Sequence, residues 1–170
     1  EITKVAVIGA GTMGSAIAQH FLMKNLDVIL LDLQKDSLEK GLEGIKNSLT
    51  EAVKRRILKE EKKDSLLAGL KCTTNYNDLA DREYVVEAVF ENFEVKQKVF
   101  KSVEENVDGK CLIASNTSSF SITQLGSVLN KQNRFLGVHY FYHAAKNKLV
   151  ELIPGNNTST ENIQKLRNFY

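Results

Sequence analysis

Two histidines and one carboxylate stand close together in the stretch GVHYFYHAAKNKLVELIP, residues 137–154. His139 lies in one apolar run that is typical of a strand, and Glu151 lies in the next run, where an unpaired charge would be costly. Histidine changes protonation near neutral pH, and a carboxylate beside it can fix its tautomer and stabilise its charged form. Two interpretations are open: Glu151 is a strand-edge residue turned to water, or it forms an acid–base pair with His139.

A glycine loop near the start of the chain has the spacing G-x-G-x-x-G in the segment GAGTMG, residues 9–14. It follows an apolar run and opens an amphipathic run with helical spacing, which is the context of a dinucleotide-binding loop. The first glycine permits a tight turn, the second lets backbone approach a pyrophosphate, and the third lets the helix lie close to the sheet. The helix start then offers N–H groups to the phosphates. The predicted cofactor contacts in this loop are Gly9, Gly11, Thr12, Met13 and Gly14.

Asp32 ends the next apolar run after the glycine loop. A carboxylate at this place accepts hydrogen bonds from ribose hydroxyls and repels a 2′-phosphate. The residues that follow it, Leu33-Gln34-Lys35, include no arginine. The sequence therefore predicts a site for NAD rather than NADP.

Short apolar runs alternate with longer amphipathic ones along the chain, which predicts an α/β fold. The arrangement favours a Rossmann-type, mainly parallel, doubly wound sheet in one dinucleotide-binding domain, residues 1–170. Residues 36–67 keep helical spacing for so long that we expect two helices, a helical arm after the second strand. The last two strands lack room for a helical crossover, so we expect antiparallel pairing near the C-terminal end. Predicted strands cover residues 5–8, 27–32, 69–75, 83–90, 110–116, 134–141 and 148–154, and further helices cover 93–107, 121–129 and the chain from 160.

Composition narrows the class of protein. The chain has 23 Lys and Arg against 21 Asp and Glu, interspersed, so neither nucleic acid nor another polyanionic partner is implied. No apolar run is long enough for a membrane span, and we expect no signal peptide. Cys72 and Cys111 stand alone in apolar runs, which fits reduced thiols better than a disulfide or a metal site. We expect a cytoplasmic protein, or a mitochondrial matrix protein if a transit peptide was removed.

The sequence resembles the NAD-binding domain of the L-3-hydroxyacyl-CoA dehydrogenases over nearly all 170 residues. The likeness rests on VAVIGAGTMGSAIA, VVEAVFENFEVKQKVF, ASNTSS and RFLGVHYF followed by KLVEL. It implies NAD as cofactor and the interconversion of (S)-3-hydroxyacyl-CoA and 3-oxoacyl-CoA, as in fatty-acid beta-oxidation or hydroxybutyryl-CoA metabolism. This chemistry suits the residues, because alcohol oxidation needs a base for the hydroxyl proton, and such a base typically contributes about 10²–10⁴-fold.

The resemblance also implies roles for single residues. His139 is the expected general base, Glu151 its partner, and Ser118 a catalytic residue that also contacts the cofactor. The helical arm is expected to help hold coenzyme A. Further implied cofactor contacts are Glu91, Lys96, Asn116 and Tyr142, and implied coenzyme A contacts are Ser48, Lys54 and Arg55.

The residues alone leave simpler interpretations open for some of these positions. Ser118 can cap a loop, Lys96 can be a helix-surface lysine, and Glu91 can be a loop or cap residue. The chain also departs from the family, which follows its His-Phe-Phe with Asn-Pro where this chain has Tyr142-His143. We expect His143 to be an exposed loop residue. Two alternative functions remain: a dinucleotide-binding module without catalysis, for sensing or assembly, and a dehydrogenase of another small 3-hydroxy acid.

The last helix ends with its apolar face only begun, so we expect Ile163, Leu166 and Phe169 to lack a packing partner. The family's C-terminal helical domain, which closes the acyl-CoA cleft and usually forms a homodimer, is expected to lie outside this chain. On that basis the chain should bind NADH but turn substrate over only weakly on its own.

Overall fold

The computed structural model describes residues 1–170, which form seven strands, six α-helices and three short 3-10 helices. In chain order the strands and α-helices are β1 (Lys4–Ile8), α1 (Thr12–Met23), β2 (Asp27–Leu31), α2 (Lys35–Lys54), α3 (Glu60–Ala68), β3 (Leu70–Thr73), β4 (Tyr84–Glu87), α4 (Phe93–Asn106), β5 (Leu112–Ser115), α5 (Ile122–Leu125), β6 (Phe135–Tyr140), β7 (Val150–Pro154) and α6 (Thr160–Phe169). The predicted elements are all present, although β4 ends at Glu87 rather than at residue 90, and the helix predicted for 121–129 is an α-helix only over Ile122–Leu125. None of the helices has the length and apolar character needed to cross a lipid bilayer.

The seven strands form one sheet in the order β3-β2-β1-β4-β5-β6-β7. All pairs are parallel except β6 with β7, which confirms the predicted antiparallel end of the sheet. The strand order reverses between β1 and β4, so this is the switch point at which open α/β sheets bind ligands. We call the side where β1 to β6 end the carboxyl edge.

Each face of the sheet is covered by helices, which confirms the doubly wound architecture. On one face, Phe21 of α1, Leu49 of α2 and Leu166 of α6 belong to one apolar core cluster. On the other face, Phe100 of α4 and Leu125 of α5 belong to a second cluster. The central strands are apolar at nearly every position because both faces are buried.

The helical arm consists of α2 and α3, as expected from its unusual length. The two helices are separated by a short turn in which Arg56 has a positive φ of 59°. Leu38, Ile45 and Leu49 on α2 are buried in the same cluster as α1. The arm therefore packs against α1, the helix that follows the glycine loop. The N-terminal half of α2 lies beside that loop.

The expectation that the apolar face of α6 lacks a partner is wrong for Leu166 and Phe169. Leu166 is fully buried, and the Phe169 ring meets the edges of Phe21 and Tyr84 at centroid distances of 5.8 and 5.5 Å. The Tyr84 hydroxyl is 3.0 Å from the hydroxyl of Tyr170, which also bonds to Tyr140. The partner of α6 is thus the aromatic surface of this domain, built by strands and helices distant in the sequence.

Candidate functional site

The glycine loop lies at the carboxyl edge between β1 and α1, with two positions that only glycine fits. Gly9 has φ +102°, and a Cβ there would lie 2.7 Å from the Ala88 carbonyl oxygen. A Cβ at Gly14 would lie 1.7 Å from the Gly9 carbonyl oxygen, so α1 can approach the loop only without a side chain. At Gly11, by contrast, a Cβ would meet nothing within 4 Å, so the backbone there is open to a ligand.

The first turn of α1 has the free N–H groups and the positive dipole end that bind an anion. Its N-cap is Gly11, which supplies no side-chain hydrogen bond, and the turn contains no acidic residue. The N–H groups at Thr12 and Met13 therefore meet no side-chain acceptor of this protein, and the helix dipole adds partial positive charge. This arrangement fits the pyrophosphate of a dinucleotide.

Asp32 joins the end of β2 to the glycine loop. Its Oδ2 accepts the Ala10 N–H at 2.9 Å, and its Oδ1 accepts the Gln34 N–H at 2.8 Å. Each carboxylate oxygen can accept a further hydrogen bond, and the residue is half-buried rather than closed off. Two backbone donors thus fix the carboxylate while leaving acceptors for a ribose diol.

His139 and Glu151 face each other directly across the antiparallel pair of β6 and β7. The His139 Nδ1 lies 2.8 Å from Glu151 Oε1, and because a carboxylate only accepts, Nδ1 carries the proton and Nε2 is left as an acceptor. The Phe141 ring stands edge-on to the imidazole at a centroid distance of 4.7 Å. Both interpretations of Glu151 hold at once, since it pairs with His139 and its side chain is still 52% exposed on the edge strand.

Glu91 gathers the loop of residues 117–119 that follows β5. Its Oε1 accepts the Thr117 hydroxyl at 2.9 Å, and its Oε2 accepts the Ser118 N–H and hydroxyl at 3.1 and 3.2 Å and the Ser119 hydroxyl at 3.3 Å. Partial burial opposes ionisation, but these donors and the Lys96 ammonium hold the pKa of Glu91 below its usual value. Glu91 is therefore an ionised hub for the Ser118 loop, beyond the role of a simple cap.

Lys96 is buried, so its interpretation as a helix-surface lysine is wrong. Its side chain is 2% exposed, and its Nζ lies 2.6 Å from Glu87 Oε2 and 3.3 Å from Glu91 Oε1. Sequence reasoning missed Glu87, the last residue of β4, which is 1% exposed. Burial raises the pKa of Glu87 above its usual value, and the Lys96 ammonium opposes that rise. Two sequence features could have indicated the buried Glu87–Lys96 pair. Glu87 ends an apolar strand, and Lys96 lies on the helix face that also carries Val99 and Phe100.

The remaining expected cofactor contacts lie around the same edge. The Asn116 side-chain oxygen accepts the Tyr140 N–H at 2.9 Å and so ties the ends of β5 and β6 together. Tyr142 is 69% exposed, so its side chain lies largely in solvent. His143 is half-buried and, contrary to expectation, lines a cleft of about 400 Å³ with Gly11. Burial and the Lys146 charge lower the pKa of His143.

The expected coenzyme A contacts lie on the second half of α2. Ser48 is half-buried, and its hydroxyl accepts a hydrogen bond from Gln19 of α1 at 2.9 Å. Lys54 is exposed and pairs with Glu51 at 2.8 Å, and Arg55 follows at the helix end. Ser48 and Arg55 are two turns apart and so share one side of the helix.

Comparison with known proteins agrees with this architecture. The family model for the 3-hydroxyacyl-CoA dehydrogenase NAD-binding domain matches residues 4–170. A peroxisomal fatty acid beta-oxidation multifunctional protein of Arabidopsis thaliana is 36% identical over 165 residues, 97% of this chain and 23% of that protein. A 3-hydroxybutyryl-CoA dehydrogenase of Bradyrhizobium diazoefficiens is 35% identical over 168 residues, 99% of this chain and 57% of that protein.

A solved structure extends the comparison to three dimensions. The (S)-3-hydroxybutyryl-CoA dehydrogenase of Ralstonia eutropha superposes with a TM-score of 0.96 at 38% identity, covering 99% of this chain and 60% of that one. This chain thus spans less than two thirds of the length of each of these three relatives. The family match runs through the glycine loop, Asp32 and the His139–Glu151 pair. The chain belongs to the 3-hydroxyacyl-CoA dehydrogenase family and corresponds to the NAD-binding domain of that family.

Proposed function

We propose that this domain supplies the cofactor site and the acid–base pair for NAD-dependent oxidation of (S)-3-hydroxyacyl-CoA to 3-oxoacyl-CoA, and for the reverse reduction. The observation that carries the proposal is the His139–Glu151 hydrogen bond of 2.8 Å, next to the loop that ends β5 at the carboxyl edge. A binding module alone has no need of an imidazole held in one tautomer by a carboxylate.

The proton of the substrate hydroxyl has a defined acceptor in this arrangement. His139 Nε2 takes it as the carbon–oxygen double bond forms, and Glu151 stabilises the imidazolium through Nδ1. The glycine loop and Asp32 would hold NAD, which would supply the hydride acceptor. Ser118, in the loop that follows the neighbouring strand β5, is the proposed contact for the reacting oxygen or the cofactor. The hydrogen bonds with Glu91 that fix this loop support the proposal.

The substrate handle is proposed to be coenzyme A, with Ser48, Lys54 and Arg55 on α2 as its contacts. Two cations at a helix end suit a ligand rich in phosphate. The similarity of the curated relatives, named for 3-hydroxybutyryl-CoA and for fatty acid beta-oxidation, supports the same class. We also propose that the protein forms a homodimer and is located in the cytoplasm or the mitochondrial matrix.

The Tyr142-His143 pair supports a second candidate, a dinucleotide-binding module without efficient catalysis. Tyr142 is exposed and His143 occupies the cleft beside Gly11, so this loop presents different groups from the family's Asn-Pro. One experiment separates the two candidates. The chain is mixed with NADH and either acetoacetyl-CoA or free acetoacetate in a single-turnover assay that follows NADH absorbance.

The proposed enzyme consumes NADH with acetoacetyl-CoA and only slowly with acetoacetate, and its product is (S)-3-hydroxybutyryl-CoA. NADH binding with no oxidation by either acceptor would favour the module. Faster oxidation with free acetoacetate would favour a dehydrogenase of another small 3-hydroxy acid.

A further inference from the structure

Glu87 is a buried carboxylate at the switch point between β1 and β4, and the proposed mechanism does not use it. Its Oε1 accepts the Ser115 hydroxyl at 2.6 Å, and its Oε2 accepts the Val89 N–H at 2.8 Å and the Lys96 ammonium at 2.6 Å. All three partners donate, which fits an ionised, acceptor-only carboxylate. Burial of such a charge is costly unless it is paired, so its position needs a reason.

Lys96 connects this carboxylate to the site. Its Nζ contacts Glu87 Oε2 at 2.6 Å, the Val89 carbonyl oxygen at 3.0 Å and Glu91 Oε1 at 3.3 Å. The first two contacts are hydrogen bonds, and the third is an ion pair with the carboxylate that holds the Ser118 loop. Since the Lys96 side chain is 2% exposed, its ion pair with Glu91 links the buried carboxylate to the site.

Glu91 in turn determines which way the Ser118 hydroxyl points. The carboxylate can only accept, so the Ser118 proton is directed at Glu91 Oε2, 3.2 Å away. The lone pairs of Ser118 Oγ are then free for a ligand that donates. The carboxamide N–H of a nicotinamide and the hydroxyl of a 3-hydroxyacyl substrate are both donors of this kind.

We propose that Glu87 is a positioning residue of this site. It acts through Lys96 on Glu91 and so keeps the Ser118 loop in place with its hydroxyl turned to accept. The inference rests on the proposed function, because it assumes that the cofactor and substrate meet this loop. A purely structural clasp between β4 and β5 would stabilise the fold without affecting the ligand.

The test compares three variants of the 170-residue chain with the unmodified chain. Glu87→Gln keeps the shape and removes the charge, since the Ser115 hydroxyl can turn to accept from the new amide. The double variant Glu87→Gln with Lys96→Met removes both members of the buried pair. Glu104→Gln is the matched control, because Glu104 is 11% exposed and also holds a loop, through Asn130 N–H and Lys131 N–H, before β6 and away from the carboxyl edge.

Three quantities are measured: NADH affinity by calorimetry, the urea midpoint of unfolding, and amide hydrogen exchange at Ser118. We expect Glu87→Gln to weaken NADH binding about tenfold and to speed exchange at Ser118, a loss equivalent to one charge-assisted hydrogen bond. Glu104→Gln should lower the midpoint without changing NADH affinity. In the double variant the midpoint should return toward that of the unmodified chain, while NADH affinity stays low because Glu91 has lost the ammonium.

Two results would overturn the inference. One is a Glu87→Gln variant that binds NADH within about twofold of the unmodified chain. The other is a double variant in which NADH affinity recovers together with stability. An unmodified chain that binds no NADH would instead refute the cofactor site itself, and this is visible before any variant is made.

Discussion

Replacing Glu151 by Gln should slow hydride transfer without disturbing the cofactor site. Gln can still accept the His139 Nδ1–H, so the imidazole keeps its tautomer and orientation. The change removes the negative charge that faces the imidazolium as the substrate proton arrives. The loss therefore falls on the transition state rather than on NADH binding.

The size of the effect follows from the distance between the two groups. At 2.8 Å the attraction between unit charges is about 1.5 kcal/mol in bulk water and about 6 kcal/mol at an effective dielectric constant of 20. The side chains of His139 and Glu151 are 22% and 52% exposed, so the value lies near the lower limit. We take about 2 kcal/mol, which is roughly 30-fold in rate.

The assay is single-turnover oxidation of NADH by acetoacetyl-CoA, with His139→Gln and the double variant completing a cycle. His139→Gln should cost about 10²–10⁴-fold, and Glu151→Gln should then add almost nothing. Glu161→Gln is the control, because Glu161 also pairs with a cation at 2.9 Å but lies on the exposed surface of α6. Additive losses from the two single changes would refute the idea that Glu151 acts through His139.

Further predictions concern cofactor choice, stability and rate. NADH should bind more tightly than NADPH by at least ~1.4 kcal/mol in calorimetry, a tenfold ratio, and Asp32→Ala should narrow that gap; equal affinities in the unmodified chain would contradict the role of Asp32. Burial lowers the pKa of His20 to about 4, and its Nε2 has no partner, so the folded state should lose stability as the pH falls from about 6.5 toward about 4. In His20→Phe we expect this decrease in the free energy of unfolding to be smaller by roughly 1–2 kcal/mol, after allowance for solvent screening. Urea midpoints measured across this pH range test the expectation. Turnover by this chain should be slow, because the His139–Glu151 pair is open to water and misplacement of about 1 Å can cost ~10²-fold; a rate within the usual enzymatic range would contradict this.

Most of the fold was predictable because its signals are local. The glycine loop, the apolar strands and the short link between β6 and β7 each follow from residues near one another in the sequence. Predicting that His139 pairs with Glu151 requires one further fact, the register of β6 against β7. A slip of one residue would have turned Glu151 to the opposite face of the sheet, and the sequence alone does not exclude it.

The parts that were wrong depend on contacts between distant segments. The simpler interpretation of Lys96 as a helix-surface lysine follows from its charge alone, although its spacing to Val99 and Phe100 places it on the buried face of α4. Its burial is possible only because Glu87 and Glu91 meet it there. The covering of α6 by Phe21 and Tyr84 likewise arises from packing that no single segment encodes.

The most direct test of the central claim is stereochemical. The chain is given NADH deuterated at the transferring position together with acetoacetyl-CoA, and the product is analysed for deuterium at C3 and for chirality. We predict (S)-3-hydroxybutyryl-CoA labelled at C3, and a loss of about 10²–10⁴-fold in its formation in His139→Gln. Unlabelled or racemic product, or an undiminished rate in His139→Gln, would contradict the assignment of this edge of the sheet as a dehydrogenase site.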